Sequence, residues 1–260
     1  MATTIAIGGK GGSGKTTLAA MIIRLLTSRR DRGAVLAVDA DPNCCLASML
    51  GVQPVGTIAD IREDARAKAP QDAGTDRMRL LEYGIHQAIT EADGFDLLVM
   101  GRPEGPGCYC AVNNMLRKFL DQLSSRYEFV IIDNEAGMEH LSRRTTNNVD
   151  LLCIVAEPTS LGALTAGRIF ELAKKLPVSI KEIGIIWNKV DETSCCEARL
   201  DEVETLGSVP VDSAVFDASM QGKTVFELKD NTPAFLAVSE ILEHKLILKS
   251  AKDVARKSED

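Results

Sequence analysis

No apolar run in this 260-residue chain reaches the ~18 residues that a membrane-spanning helix needs, so no stable membrane association is expected. The first residues, MATTIAIGGKGG, have no basic stretch followed by an apolar one, which predicts no secretory signal and a cytoplasmic location. Positive charge is in deficit: 30 Lys and Arg face 37 Asp and Glu, for a net charge of −7 at pH 7. Affinity for phosphate backbones comes from clustered Lys and Arg, so nucleic acid is not an expected partner. Histidine is scarce: His86 and His244 read as ordinary surface or core residues, and His140 is a weak candidate for more. Internal repeats and long linkers are absent. With 45% hydrophobic and 26% charged residues the composition is ordinary for a globular protein. One domain over 1–260 is expected, with a polar excursion around 61–78 and a frayed tail at 250–260.

Seven cysteines are present, an odd number: Cys44, Cys45, Cys108, Cys110, Cys153, Cys195 and Cys196. In a reducing compartment this speaks for metal binding or buried thiols rather than a disulfide framework. Cys153, inside LLCIVAE, reads as core. The adjacent pairs Cys44-Cys45 and Cys195-Cys196 point their side chains in different directions and make poor chelates. Cys108 and Cys110 differ. They lie in GRPEGPGCYCAVNN, a glycine-rich stretch unsuited to inert core thiols. In an extended segment residues i and i+2 share a face, so both thiolates can converge on one ion. A structural metal usually takes four ligands, and two are missing from this stretch.

Short apolar runs recur at 3–8, 34–39, 96–101, 129–133, 151–157 and 183–188, with a weaker one at 208–211. They do not alternate apolar and polar residues, which is the pattern of strands buried on both faces of a parallel sheet. Helix-like stretches follow: TTLAAMIIRLLTSRR, NNMLRKFLDQLSSRY, SLGALTAGRIFELAKKL and FLAVSEILEHKLILK. The expected fold is α/β, a doubly wound, mostly parallel sheet of about seven or eight strands with helices on both faces. Ligands then bind in the loops beyond the carboxyl ends of the strands.

The first such loop reads GKGGSGKT, Gly9 to Thr16, and matches G-x-x-x-x-G-K-[ST] between a strand and a helix. Backbone amides of Gly11, Gly12, Ser13 and Gly14 are expected to wrap phosphate oxygens, aided by the helix N-terminus. Lys15 is expected at the β- and γ-phosphates, Thr16 on Mg²⁺, and Thr17 beside the α-phosphate.

The fuller pattern K-G-G-x-G-K-T-T, with Lys10 early in the loop, resembles the deviant P-loop ATPases that include MinD, ParA and the nitrogenase iron protein. The resemblance implies that Lys10 crosses a dimer interface to the partner's nucleotide, with the electrostatic task of an arginine finger. In VDADPN it implies that Asp41 orients or activates the attacking water and that Asp39 lies near the Mg²⁺ shell. Asp133, ending FVIID, matches the aspartate that holds Mg²⁺ through water. Relatives often carry proline next; this chain has Asn134-Glu135-Ala136-Gly137, where Gly137 can supply a γ-phosphate contact. Alone, the tetrapeptide Asn188-Lys189-Val190-Asp191 suggests guanine recognition. In the family it resembles, the corresponding Asn binds adenine, with backbone around Val209 and Pro210 closing the base pocket. ATP is the expected nucleotide and GTP the alternative.

An isologous two-fold interface supplies the missing thiolates: Cys108 and Cys110 from each subunit make a Cys₄ site suited to Zn²⁺ or Ni²⁺. The segment G-x-P-E-G-x-G-C-Y-C followed by V-N-N, together with VDADPN, FVIIDNEAG, NKVD and VPVD, is similar to CooC-type accessory ATPases. That resemblance spans nearly the whole chain. It implies an ATP-hydrolysing homodimer that delivers nickel to a client enzyme such as carbon monoxide dehydrogenase or acetyl-CoA synthase. Two alternatives stand beside it. One is an iron–sulfur electron-transfer ATPase, which places a cysteine after the FVIID-type strand where this chain has NEAGMEH. The other is a MinD- or ParA-like positioning switch, whose membrane form needs a basic amphipathic tail that EHKLILKSAKDVARKSED only weakly supplies.

Overall fold

The computed structural model describes residues 2–28, 33–68, 83–101, 126–135, 148–191, 200 and 202–247. Eight strands form one sheet: β1 (Thr3–Gly9), β2 (Val35–Ala40), β3 (Thr90–Ala92), β4 (Phe95–Val99), β5 (Phe129–Asn134), β6 (Asn148–Ala156), β7 (Ser179–Val190) and β8 (Glu204–Pro210). Their order is β3-β4-β2-β5-β1-β6-β7-β8. Every neighbouring pair is parallel except β3 with β4. The mostly parallel, doubly wound sheet expected from the apolar runs is therefore present.

β3 is the strand that the apolar pattern misses. It has three residues, Thr-Glu-Ala, and folds back on β4 across Asp93-Gly94, with Gly94 at φ 84°. An Asp-Gly pair is a hairpin turn signal because the turn needs positive φ.

Among the described helices are α1 (Lys15–Thr27), α2 (Cys45–Leu50), α3 (Ile58–Lys68), α4 (Ser160–Lys175), α5 (Ser213–Met220) and α6 (Pro233–Leu242). α3 starts where the Thr57 and Asp60 side chains bond each other's backbone amides, at 3.1 Å each. It thus takes up 61–68 of the expected polar excursion, while 69–78 lies outside the described residues. The helix expected from Asn113 and the tail from 250 also lie outside them.

Successive strand residues feed opposite layers. Ile5, Ile7, Val35, Ala37, Cys153 and Val155 pack with α1, α2 and α6, and Cys153 is core as its run suggested. Ala6, Leu36, Val38, Leu152 and Ile154 pack on the other face with α4 and the start of α3. Each large apolar side chain buried this way contributes ~1.5–3 kcal/mol, which is why uninterrupted apolar strands seek the middle layer. One of the charges buried in this layer lies on α1, away from the phosphate loop. Arg24 of α1 donates to the Val225 carbonyl at 2.8 Å, pairs with Asp230, and lies 4.3 Å from the Phe235 ring centre. It fastens the Val225–Glu227 turn and α6 onto α1.

Candidate nucleotide and cation site

The loops that follow the parallel strands lie at one end of the sheet. The phosphate loop leaves β1 at Gly9 and enters α1 at Lys15. Gly14 caps α1 at φ 93°, and a Cβ there would stand 2.2 Å from Asn188 Nδ2. Both the left-handed backbone and the space exclude a side chain. Gly14 can offer no side-chain cap, and the first turn of α1 has no acidic residue. The first-turn amides, at the positive end of the helix, are left for an external anion. Lys15 is buried at 7% exposure, and its Nζ lies 3.3 Å from the Lys10 carbonyl. The Ser13 amide donates to the same carbonyl at 3.2 Å. The Lys10 side chain itself is exposed.

Asp39 and Asp133 are register partners on β2 and β5, and both are fully buried. Burial raises Asp39 from 3.8 to about 6, against the amides of Asp41 and Leu46, which donate at 3.2 and 3.0 Å. Burial raises Asp133 further, to about 7; the Thr16 hydroxyl beside it and the Lys15 ammonium offset part of this, and the Asp39 charge adds to it. Neither Asp133 oxygen completes a well-directed hydrogen bond. A buried carboxylate so placed is costly alone and is satisfied by a cation. The donor set, a hydroxyl at Thr16 and a carboxylate at Asp133 beside a phosphate loop, fits Mg²⁺, which takes few protein carboxylates and completes its shell with water and phosphate oxygens.

Asp41 sits half-exposed in the loop after β2, where its Oδ1 accepts from the Asn43 amide and side chain, both at 2.8 Å. At the end of β7, Asn188 Nδ2 donates to the Ser13 carbonyl at 2.7 Å. Lys189 Nζ reaches the Gly12 carbonyl and Glu157 Oε1, each at 2.7 Å. Both side chains are thus engaged with the phosphate loop. Val209 is buried at 2% exposure, and Pro210 is half-buried. Asp212, closing VPVD, accepts from the Ala214 amide at 2.9 Å and the Ala234 amide at 3.0 Å. It caps α5 and the start of α6.

Two contributors escape the sequence motifs, and a third, Ser13, has a feature that its motif does not show. Asn134 is fully buried; its Nδ2 donates to the Ile7 carbonyl at 3.1 Å and ties the end of β5 to β1 just before the phosphate loop. In the sequence it stood out only as a departure from proline. Glu157 pairs with Lys189. Ser13 is a loop residue by motif, but its hydroxyl is buried without a partner, and it lines a cleft with Lys10, Glu157, Thr159 and Thr165 that only the packing of α4 creates.

Cys108, Cys110, Gly137, His140, Cys195 and Cys196 lie outside the described residues. The described chain before the first two ends at Gly101, which has a left-handed backbone, φ 71°. Cys44 and Cys45 bond different carbonyls, those of Pro42 and Asn43, each at 3.7 Å. Burial, then the Asp39 and Asp41 carboxylates, push both thiols up, away from the thiolate that a soft metal needs. Among the described residues no three His, Cys, Asp or Glu side chains gather as a metal cluster, and no helix is long and apolar enough to cross a membrane.

The chain is similar to several proteins along most of its length. An uncharacterised ATP-binding protein of Methanocaldococcus jannaschii is 40% identical over 246 residues, 92% of this chain and 96% of the relative. The carbon monoxide dehydrogenase accessory protein CooC of Rhodospirillum rubrum is 36% identical over 253 residues, 90% of this chain and 94% of CooC. Among solved structures, the cell division ATPase MinD of Pyrococcus furiosus superposes with a TM-score of 0.67 at 25% identity, covering 94% of this chain and 98% of MinD. MinD of Pyrococcus horikoshii, complexed with Mg-ADP, shares the fold at a TM-score of 0.70 and 23% identity, covering 97% of this chain and 99% of that one. The CobQ/CobB/MinD/ParA nucleotide-binding domain profile matches residues 4–225, and the chain belongs to that family.

Proposed function

We propose that the protein is an ATPase whose nucleotide cycle controls a homodimer that carries nickel to a client enzyme such as carbon monoxide dehydrogenase or acetyl-CoA synthase. The hydrolytic part rests on one observation: the buried carboxylate of Asp133, with the Thr16 hydroxyl beside it and no completed hydrogen bond, next to the uncapped start of α1. The nickel part is supported by the 36% identity to CooC over 90% of the chain and by the Cys108-Tyr109-Cys110 step.

In this function the amides of Gly11 to Thr17 hold the phosphates, and Lys15 turns its ammonium from the Lys10 carbonyl to the β- and γ-oxygens. Thr16 and Asp133 would hold Mg²⁺, with Asp39 beside them fixing the loop from Asp41 to Leu46. The ion supplies neutralisation of the phosphate oxygens. Asp41 orients the attacking water. Lys10, exposed on the loop, reaches the nucleotide of the other protomer and stabilises charge on the transferring phosphoryl group. Asn188 and the backbone at Val209 and Pro210 surround the base, with ATP preferred to GTP. Two Cys108/Cys110 pairs across the two-fold axis form the four-thiolate nickel site. Metal and nucleotide then bias one monomer–dimer equilibrium, so each tightens the other's binding.

The test is size-exclusion chromatography with metal analysis on wild type and Cys108→Ala/Cys110→Ala, with and without Ni²⁺ and ADP. The proposal expects about one metal per wild-type dimer and neither metal nor metal-driven dimer in the variant. A variant that binds metal and dimerises like wild type removes the nickel part. The MinD-like fold then favours a second function, an ATP-driven dimerisation switch. Its mark is ATP-dependent dimerisation that is indifferent to nickel.

A further inference from the structure

Lys189 has a left-handed backbone, φ 59°, in a chain where Cys44 is the other described non-glycine residue with positive φ. That conformation is unfavourable for a side-chain-bearing residue and persists where surrounding contacts hold it. The contacts here are specific. The ammonium bridges Glu157 Oε1 and the Gly12 carbonyl, both at 2.7 Å. One residue earlier, Asn188 Nδ2 takes the Ser13 carbonyl at 2.7 Å. Two consecutive residues at the end of β7 therefore hold two consecutive carbonyls of the phosphate loop. In a trans peptide the carbonyl and the following N–H point in opposite directions. Drawing the Gly12 and Ser13 carbonyls towards β7 turns the amides that follow them, those of Ser13 and Gly14, to the other side of the loop.

An exposed ion pair adds little to stability, and the Lys189 and Glu157 side chains are 48% and 41% exposed. Fold stability is thus a poor reason for the pair, whereas loop geometry is a good one. Glu157 also links the loop to α4. Its carbonyl accepts from the Thr159 amide at 2.7 Å, and Thr159 Oγ1 caps α4 by accepting from the Gly162 amide at 3.0 Å.

We infer that Glu157 and Lys189 form a clamp that sets the phosphate loop for polyphosphate binding, with Lys189 as a positioning residue and Glu157 as its anchor. The inference rests on the nucleotide-binding function proposed above and assigns Lys189 to the loop rather than to the base. It makes a prediction of unexpected sign. Removing a negative charge near a polyanion site should tighten binding; removing the Glu157 anchor should weaken it, because the loop loses its register.

The experiment measures binding of fluorescent (mant) ADP with Mg²⁺, and of inorganic tripolyphosphate by competition, on wild type, Lys189→Met, Lys189→Arg and Glu157→Gln. Thermal midpoints are recorded alongside. Lys189→Met should weaken both ligands by about tenfold, the scale of a lost charge-assisted hydrogen bond, and Lys189→Arg should restore most of the loss. Glu157→Gln should weaken both by roughly threefold with a midpoint close to wild type. Weakened mant-ADP binding with unchanged tripolyphosphate binding overturns the clamp and returns Lys189 to the base. Glu157→Gln binding as tightly as wild type, or more tightly, overturns it too. Failure of wild type to bind either ligand overturns the nucleotide site itself, a different result.

Discussion

Asp133→Asn tests the cation site without any ligand. The wild-type carboxyl goes from 3.8 in the unfolded chain to about 7 in the fold, chiefly by burial. Below pH ~4 both states are protonated and the group costs nothing. Between pH ~4 and ~7 the native state keeps a proton that the unfolded state has lost, so stability falls as pH rises through this window. Above it the penalty is complete, at about 4 kcal/mol for ~1.4 kcal/mol per tenfold. Asparagine has nearly the same shape and no charge, but its amide hydrogens are left unsatisfied at a cost of ~1–3 kcal/mol. The net expectation at pH 8.5 in EDTA is a variant ~1–3 kcal/mol more stable than wild type, or roughly 2–10 °C in thermal midpoint. At pH 4 the advantage should vanish or reverse. Adding Mg²⁺ and ADP should then reverse the order: wild type gains ~2.7 kcal/mol at a hundredfold excess over Kd, and the variant loses the Mg²⁺-dependent part of that gain. Differential scanning fluorimetry across pH reads both effects. If Asp133→Asn is less stable than wild type at pH 8.5 in EDTA, the carboxylate is not an isolated buried charge, and the argument for a cation there fails.

Two further substitutions probe the frame of the site. Gly14→Ala should destabilise the fold by at least ~1–2 kcal/mol and abolish mant-ADP binding, because the new Cβ meets Asn188 Nδ2 at 2.2 Å on a left-handed backbone; a wild-type midpoint with intact binding would show that the loop does not need this glycine. Asp212→Ala should cost ~1–2 kcal/mol in urea unfolding, with Asp212→Asn milder, since one carboxylate caps α5 and also holds the Ala234 amide; equal losses for both variants would refute the capping role.

The sequence alone determined the layered parallel architecture, because apolar runs that do not alternate must be buried on both faces, and all but the weak run at 208–211 are. It also determined the phosphate loop, since glycines at 9, 12 and 14 followed by Lys15 and Thr16 have a local meaning that needs no distant residue. β3 was legible only in its Asp-Gly turn, being too short for a periodic signal. Tertiary structure decided what adjacency in sequence cannot express. Asp39 and Asp133 become neighbours because β2 pairs in register with β5, 94 positions further along the chain. Burial in the same layer then raises both carboxyls. Asn188 and Lys189 are a motif on paper, but their donors go to the carbonyls of Ser13 and Gly12, more than 170 residues away in sequence. Asn134, Glu157 and Arg24 carry no local pattern at all. Their roles come from what the sheet order places beside them, and a hydrogen-bond donor or acceptor acquires its partner only when the chain has folded.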